Sequence, residues 1–507
     1  MRAQNSIKNT IISFVMSIVT ILIGLITQKI FINILGTEYL GLNGLFTNIL
    51  SMLAIAELGI GSAIIYSLYK PIAENDQNKI KALMNFYKKS YRYIAILVSI
   101  IGILIIPFLN KIVGENNIQD NLIIIYLLFL SDTVVSYLLT YKRSILYASQ
   151  KTYIINIVHI LYLVFMNMLQ IIILFFTKNY ILYLLIKIIF RILENTIITI
   201  IANNMYPYIK ENNKNEIDKE TKNSIIEKVK GLIFHKVGAF IVLGSDNIII
   251  STFLGINTVG LYTNYNTILQ AVNSLFSQIF TSITASVGNL LVEEKNDKER
   301  LYKTYKRMLF INAWMYNFSS VAILCLIEPF IKIWIGESYL LSYNVLIILV
   351  CNCYVQGMRK TYNTFKEAAG IFHEDRFIPI IESVVNIVAS IAFLKIIGLA
   401  GVFIGTIISS MVLFLYSYPK YVYKKIFKKN YKQYIIDNLR YIIVFFICCI
   451  ITALITNCIV LRNMYLQLTI NTIIVILVPN IIQYCVFRKK DEFLYAKNII
   501  KDRKMKG

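Results

Sequence analysis

The sequence predicts an all-α integral membrane protein with about fourteen transmembrane helices, arranged as two parallel six-helix bundles followed by two further C-terminal helices. Three observations predict this fold class: long apolar runs, a one-sided distribution of Lys and Arg, and an internal repeat. The chain is 57% hydrophobic and only 16% charged, with a mean hydropathy of +0.63. Soluble globular proteins carry about 25% charged residues, so composition alone favours a membrane protein.

Fourteen apolar runs are long enough to cross a bilayer as helices. Their predicted cores are residues 9–35, 41–69, 91–110, 121–140, 153–176, 180–205, 233–254, 259–290, 308–329, 341–358, 377–395, 399–417, 440–460 and 466–487. No small-residue cleavage signal follows the apolar core of the first run. We therefore interpret that run as an uncleaved span and not as a signal peptide.

The positions of the cations predict the orientation of these spans. If the N-terminus is cytoplasmic, 43 of the 51 Lys and Arg fall on the cytoplasmic side, and no opposite loop carries more than one. The positive-inside rule describes this asymmetry, and it predicts that both termini are cytoplasmic. The net charge of +23 then reflects membrane topology, and it does not indicate nucleic-acid binding.

One phrase occurs twice in the chain. LGTEYLGLNGLFTNIL begins at Leu35, and LGINTVGLYTNYNTIL begins 219 residues later at Leu254. Six predicted spans separate the copies, so both have the same orientation, as in transporters built from parallel repeats. Such repeats are related by a pseudo-two-fold axis along the membrane normal and enclose a cleft that opens to one side at a time.

The glycines of the phrase predict its local structure. Gly36 and Gly41 are expected to bracket a five-residue turn between two long helices, because glycine adopts the left-handed conformation at a helix end at little cost. Gly255 and Gly260 are expected to do the same in the second copy.

The repeat also predicts the domain boundaries. The bundles are residues 1–206 and 233–425, and residues 426–507 hold the last two spans and a basic cytoplasmic tail. The cytoplasmic linker 207–232 joins the bundles, and the apolar spacing of its second half is that of an amphipathic helix lying on the membrane surface.

The residues that most enzymes and metalloproteins need are missing or badly spaced. The seven Cys include no C-x-x-C pair, and three His are too few for a histidine metal site. The chain contains no Walker A loop and no dinucleotide-binding glycine motif after a strand. We therefore predict no catalytic site, no metal and no cofactor.

Residues 34–80, which include ILGTEYLGLNGLF and AELGIGSAIIYSLYKPIAENDQNKI, resemble the first hairpin of the polysaccharide-export flippases. These are the Wzx-type and teichoic-acid transporters of the MOP superfamily, relatives of the MATE exporters and of the lipid II flippase MurJ. The layout of six, six and two spans also matches. The resemblance implies that undecaprenyl-pyrophosphate-linked oligosaccharide moves from the cytoplasmic to the outer leaflet of a bacterial cytoplasmic membrane.

The resemblance also implies the partners. They are the lipid-linked oligosaccharide, membrane lipids, a coupling ion (H⁺ or Na⁺), and the polysaccharide polymerase and glycosyltransferases of the same pathway.

Span six carries the strongest candidates for binding the pyrophosphate. Lys187 and Arg191 are four residues apart and share one helix face, which Glu194 joins. A cation at the centre of a membrane helix costs roughly 2.5–3.5 kcal/mol, so this face is expected to point into the bundle. Arg suits phosphate because its planar fork donates two hydrogen bonds at once. The alternative is an internal Arg–Glu pair that only holds helices together.

Two further lysines are weaker candidates for substrate binding. Lys29 lies near the outer end of span one, where its side chain either faces the cleft or extends to the interface. Lys236 lies at the cytoplasmic mouth of span seven, where it either meets an incoming phosphate or simply follows the positive-inside rule.

Other ionisable residues within spans are candidates for ion coupling or charge balance. These are Glu57, Asp132, Asp246 and Glu194, with His159 on span five. An acid within a span either binds the coupling ion or pairs structurally with a cation. His159 is alternatively a satisfied polar contact. Glu57 occupies the position where the family often has an acid before the Leu-Gly of the first hairpin.

Two other functions are compatible with the overall layout. A MATE-like exporter of cationic drugs would favour an acidic cleft, which the Lys187–Arg191 pair opposes. A membrane glycosyltransferase or ligase would be expected to have a large outer loop, whereas every predicted outer loop is short. The Tyr- and Lys-rich stretch 418–434 favours an interfacial belt against anionic lipid over a surface for stacking sugars.

Overall fold

The structure is a computed structural model that describes residues 2–53, 57, 59–210, 217–293, 297–371 and 374–505. The described residues are almost entirely helical and contain no strand. They form two compact units, Met1–Thr263 and Asn264–Gly507, which we call the N-terminal and C-terminal units.

The N-terminal unit contains ten helices and the start of an eleventh among its described residues. They are α1 (Arg2–Leu35), α2 (Thr37–Leu53), α3 (Ile60–Glu74), α4 (Gln77–Ile105), α5 (Leu109–Val113), α6 (Leu122–Thr140), α7 (Arg143–Ala148), α8 (Thr152–Thr177), α9 (Tyr180–Met205), α10 (Lys219–Leu254) and α11 (Ile256–Glu293). Short 3₁₀ turns follow α4 and α9.

The C-terminal unit contains the rest of α11 and seven further α-helices among its described residues. They are α12 (Lys298–Trp334), α13 (Tyr343–Ala368), α14 (Ile378–Ile397), α15 (Leu399–Val412), α16 (Tyr431–Cys458), α17 (Met464–Phe487) and α18 (Asp491–Met505). A π-helix, Leu413–Ile426, continues α15.

Eight of the described helical segments are long and apolar enough to cross a membrane by length and composition. Other predicted spans carry more polar or charged residues, as α9 does with Lys187, Arg191 and Glu194. The predicted fold class, an all-α multi-pass membrane protein, is confirmed. One predicted span is wrong in detail, because 41–69 is divided between α2 and α3, with Gly59 in the left-handed region at φ +80°.

The internal repeat extends beyond the quoted phrase to the helix boundaries. Adding 219 to the end of α1 gives the end of α10 at Leu254. The same addition takes the start of α2 to the start of α11 at Ile256, and the end of α3 to the end of α11 at Glu293. The start of α9 maps in this way to the start of α15.

The glycine turn is shorter than the sequence predicts. Gly36 has φ +90° between α1 and α2, and Gly255 has φ +82° between α10 and α11, so a single glycine breaks each helix pair. The prediction that Gly41 and Gly260 close a five-residue turn is wrong, because both lie inside helices.

Gly41 and Gly260 instead permit a close contact between the two copies of the phrase. A Cβ atom on Gly41 would lie 2.2 Å from the backbone oxygen of Ile256. A Cβ atom on Gly260 would lie 2.1 Å from the backbone oxygen of Thr37. Thr37 and Ile256 are themselves repeat counterparts, so each glycine packs against the first residue of the other copy's helix. Reciprocal contacts of this kind are what a two-fold relation produces.

The predicted linker is part of a longer helix. Residues 207–210 form a short 3₁₀ turn. From Lys219 onward, the predicted amphipathic segment and span seven form one continuous helix, α10. Helix α10 packs against α2, α3 and α5 within the N-terminal unit. The predicted bundle boundaries at 206 and 233 stay a prediction.

Candidate functional site

Six ionisable side chains from four helices meet in the N-terminal unit. We call them the charged cluster: Asp132 on α6, Arg143 on α7, His159 on α8, and Lys187, Arg191 and Glu194 on α9. Five of the six were candidates from the sequence, and Arg143 was not. The charged face of α9 therefore points at the neighbouring helices α6 and α8, as the sequence predicts.

Asp132 joins the two cations of α9. Its Oδ2 atom lies 3.3 Å from Lys187 Nζ, and its Oδ1 atom lies 3.4 Å from Arg191 Nε. Aromatic rings line the same cations. Lys187 Nζ lies 4.9 Å from the ring centre of Phe129, and the Arg191 guanidinium lies 5.1 Å from that of Tyr162. Cations over aromatic faces gain electrostatic stabilisation where water is scarce.

Glu194 is the most enclosed member, and its side chain is fully buried. Its Oε2 atom accepts a hydrogen bond from Arg191 at 3.1 Å. Its Oε1 atom lies 3.1 Å from Arg143 NH2 and 2.8 Å from His159 Nδ1. His159 also stacks on Tyr162, at 5.3 Å between ring centres. One carboxylate thus holds groups from α7, α8 and α9 together.

The cluster has more positive than negative charge. Among the described residues, the three cations Lys187, Arg191 and Arg143 lie within ion-pair distance of two carboxylates, those of Asp132 and Glu194. The carboxylates are also the more deeply buried partners. The side chains of Lys187 and Arg191 are 26% and 22% exposed, against 12% for Asp132 and none for Glu194. The accessible side of the cluster is therefore cationic, which suits an anionic ligand.

The other predicted site residues lie outside this cluster. Lys29 is exposed on α1, and no described carboxylate lies within ion-pair distance of it. Glu57 accepts a hydrogen bond from Tyr91. Asp246 is half-buried and interacts electrostatically with Tyr262. The side chain of Lys236 lies outside the part of the chain that the structure describes.

Arg143 was missed because it was assigned to a cytoplasmic loop. The structure places it at the start of α7, a helix of six residues that packs against both α8 and α9. Its NH2 group also donates to Asn195 Oδ1 at 2.8 Å. The available signal in the sequence was the apolar pair Ile145 and Leu146, shortly after Arg143. Both residues are fully buried in the structure.

The C-terminal unit contains two buried ion pairs that were not candidates from the sequence. Arg359, Lys366 and Asp375 fall in a predicted loop, and Glu382 falls in the predicted span 377–395. Arg359 on α13 forms a forked contact with Glu382 on α14, at 2.6 and 3.1 Å. Lys366 near the end of α13 pairs with Asp375. Ser417, in the π-helix, donates to the same Asp375 at 3.0 Å. Unlike the charged cluster, each pair balances one cation with one carboxylate.

We expect the Arg359–Glu382 pair to be structural. In an Arg359→Ala variant the buried Glu382 loses its cation, and a broken buried pair typically lowers the free energy of unfolding by about 3–5 kcal/mol. The measurement is denaturation of the purified protein in detergent. Arg462→Ala, in the exposed loop before α17, is the matched control and should be neutral. Equal stability of the two variants would contradict this role.

Comparison with known proteins identifies the relatives of the chain. The profile of the family described as polysaccharide biosynthesis protein matches residues 6–285. No curated protein matches the chain in sequence. Among solved structures, the lipid II flippase MurJ in an inward closed conformation is similar, with a TM-score of 0.64 at 16% identity, covering 95% of this chain and 99% of MurJ.

Two other solved structures share the fold. An inward-facing MATE multidrug resistance transporter of the MOP superfamily has a TM-score of 0.57 at 16% identity, covering 80% of this chain and 95% of its own. A MOP-superfamily transporter from Pyrococcus furiosus has a TM-score of 0.53 at 17% identity, covering 81% of this chain and 93% of its own. The chain therefore has the fold of MOP-superfamily transporters, as the sequence predicted, and these similar structures are transporters and not enzymes.

Proposed function

Since the chain belongs to the polysaccharide biosynthesis protein family, we propose that it is a flippase for undecaprenyl-pyrophosphate-linked oligosaccharide. It would move this lipid from the cytoplasmic to the outer leaflet by alternating access. The observation that carries the proposal is the surplus of positive charge on the accessible side of the charged cluster.

The chemistry of the substrate explains why a cationic cluster is needed. The polyprenyl tail can stay in the lipid, whereas the pyrophosphate is an anion that hydrocarbon cannot solvate. Arg191 and Lys187 offer donors from one helix face, and the planar guanidinium of Arg191 can donate two bonds to one phosphate. The carboxylates behind them hold the cations in position while no substrate is bound.

The same cluster is the proposed place of ion coupling. When Arg191 binds a phosphate in place of Glu194, the partners that remain to Glu194 in the charged cluster are Arg143 and His159. Uptake of H⁺ by His159, or of H⁺ or Na⁺ by a carboxylate, would then restore the charge balance. Asp132, Glu57 and Asp246 are the other acids proposed for this role.

The proposed location is the bacterial cytoplasmic membrane, with both termini in the cytoplasm. The distribution of Lys and Arg supports this orientation. The proposed partners are the glycosyltransferases that build the glycan on the cytoplasmic side and the polymerase that uses it outside.

The test is the transbilayer location of the oligosaccharide lipid in cells that lack the protein. We expect the lipid to accumulate and to resist a membrane-impermeant glycan-modifying reagent added to spheroplasts. Re-expression of the wild-type chain should restore its access to the reagent. Unchanged access in the deletion strain, together with a gain in sensitivity to cationic drugs, would exclude the flippase and favour a MATE-like exporter.

A further inference from the structure

A groove on the surface of the N-terminal unit lies between α4 and α6. It is an open groove with a volume of about 420 Å³. The larger apolar side chains of its lining are Ile96, Ile100 and Ile103 from α4 and Val134 and Leu138 from α6. The three isoleucines are each more than half exposed in the protein alone, so in a membrane they face lipid.

Arg92 lines the same groove and gives it a positively charged end. Lys88 lies one helical turn before Arg92, and Ile96, Ile100 and Ile103 continue the same face of α4. No described carboxylate lies within ion-pair distance of Arg92 or Lys88. Along this face of α4, two cations without a described carboxylate partner are therefore followed by the apolar residues of the groove.

A third cation adds positive charge near Lys88. Lys142, in the turn between α6 and α7, is buried, and its Nζ donates to Asn203 Oδ1 at 2.9 Å and to the backbone oxygen of Ile209 at 3.1 Å. Burial, together with the charges of Lys88 and Lys210, lowers the pKa of Lys142 to about 8. A nearby anion would relieve this repulsion.

We propose that this groove is a binding site for an anionic phospholipid. One acyl chain lies along the isoleucines of α4, and the phosphate of the headgroup contacts Arg92 and Lys88. This arrangement follows the way basic residues at the ends of membrane helices recognise anionic lipids. The basic end belongs to the cytoplasmic leaflet in the orientation proposed above.

The groove is separate from the charged cluster. Successive residues of an α-helix are rotated by about 100°, so Val134 points about 200° away from Asp132 on α6. Asp132 faces α9, whereas Val134 and Leu138 face the groove on the opposite side of α6. The groove and the charged cluster therefore lie on opposite sides of α6, which favours a phospholipid over the transported lipid as the occupant of the groove.

The test compares lipids that have the same acyl chains and different headgroups. Native mass spectrometry of the full-length protein in detergent would measure binding of phosphatidylglycerol and phosphatidylcholine. We expect phosphatidylglycerol to bind more tightly, with Arg92→Gln and Lys88→Gln each reducing its binding about fivefold. Lys89→Gln is the matched control, since Lys89 is an exposed neighbour on a different face of α4, and it should leave binding unchanged.

A second variant tests the groove independently of charge. Ile100→Trp fills the groove from an exposed position and should reduce binding of phosphatidylglycerol while leaving the protein folded. Equal binding of the two lipids, or an equal loss in Lys89→Gln and Arg92→Gln, would overturn the proposal. Displacement of phosphatidylglycerol by an equal concentration of polyprenyl phosphate would also overturn it, because the occupant would then be the transported lipid.

Discussion

An Arg191→Ala variant is expected to lose export and still fold and insert normally. Asp132 keeps Lys187 at 3.3 Å, and Glu194 keeps Arg143 and His159, so neither carboxylate is left without a partner. The variant instead loses the hydrogen bonds that Arg191 would donate to the pyrophosphate of the substrate. A hydrogen bond to a charged group contributes about 1.5–3 kcal/mol, which predicts a fall in translocation rate of roughly tenfold to a hundredfold. The measurement is lipid translocation in proteoliposomes that contain equal amounts of inserted protein.

Two further variants distinguish the geometry of Arg191 from its charge. Arg191→Lys keeps the charge and loses the planar fork, so we expect partial activity. Lys395→Ala removes an exposed cation near the end of α14 and should be fully active. Wild-type translocation by Arg191→Ala would remove this residue from the mechanism. Loss of activity in all three variants would show that the assay reports general cation content and not this site.

The charged face of α9 was predictable from sequence because it depends on helical periodicity alone. Lys187, Arg191 and Glu194 fall on one face at any packing of the helix. Their partners were not predictable in the same way. Asp132 lies 59 residues before Arg191 in the chain, and Arg143 reaches Glu194 only because α7 folds back against α8 and α9. Such pairs are set by how helices pack together, which a single sequence does not encode locally.

Three of the five tyrosines in residues 418–434 also have partners that the sequence did not predict, whereas Tyr431 is exposed. Their composition favoured an interfacial belt, yet Tyr418 and Tyr423 are fully buried and Tyr434 is nearly so. Tyr418 stacks on Tyr362 at 4.4 Å, and Tyr423 packs against Tyr434 at 4.9 Å. A tyrosine has the same apolar ring and polar hydroxyl in a belt and in a packed core. Only the facing helices α13 and α16 distinguish the two cases.

The repeated phrase was predictable as a marker of duplication, whereas the role of its second glycine was not. Gly36 adopts the left-handed conformation, as the sequence predicts. Gly41 is helical, and its reason for being glycine is the backbone of Ile256, more than 200 residues away. A glycine that allows a distant close contact has the same sequence signature as a glycine that ends a helix, so the turn was placed too far along the chain.

A Gly41→Ala variant is expected to be destabilised through this contact. The added Cβ would lie 2.2 Å from the backbone oxygen of Ile256, so α2 and the start of α11 have to separate. Overpacking of this kind costs about 1–3 kcal/mol. Gly24→Ala on α1 is the matched control, since nothing lies within 4 Å of its added Cβ. That change should be neutral or stabilising by up to about 1 kcal/mol, because alanine favours helix over glycine. Unfolding in detergent measures both.

The reciprocity of the contact makes a second and stricter prediction. Gly260→Ala places its Cβ 2.1 Å from the backbone oxygen of Thr37 and should destabilise the protein about as much as Gly41→Ala. Once one alanine has moved the two helices apart, the second meets a contact that is already open. The double variant should therefore lose clearly less stability than the sum of the single variants, by roughly 0.5–3 kcal/mol of coupling. Full additivity would mean that the two glycines act at separate contacts, and the two-fold packing of the repeated phrase would then be wrong.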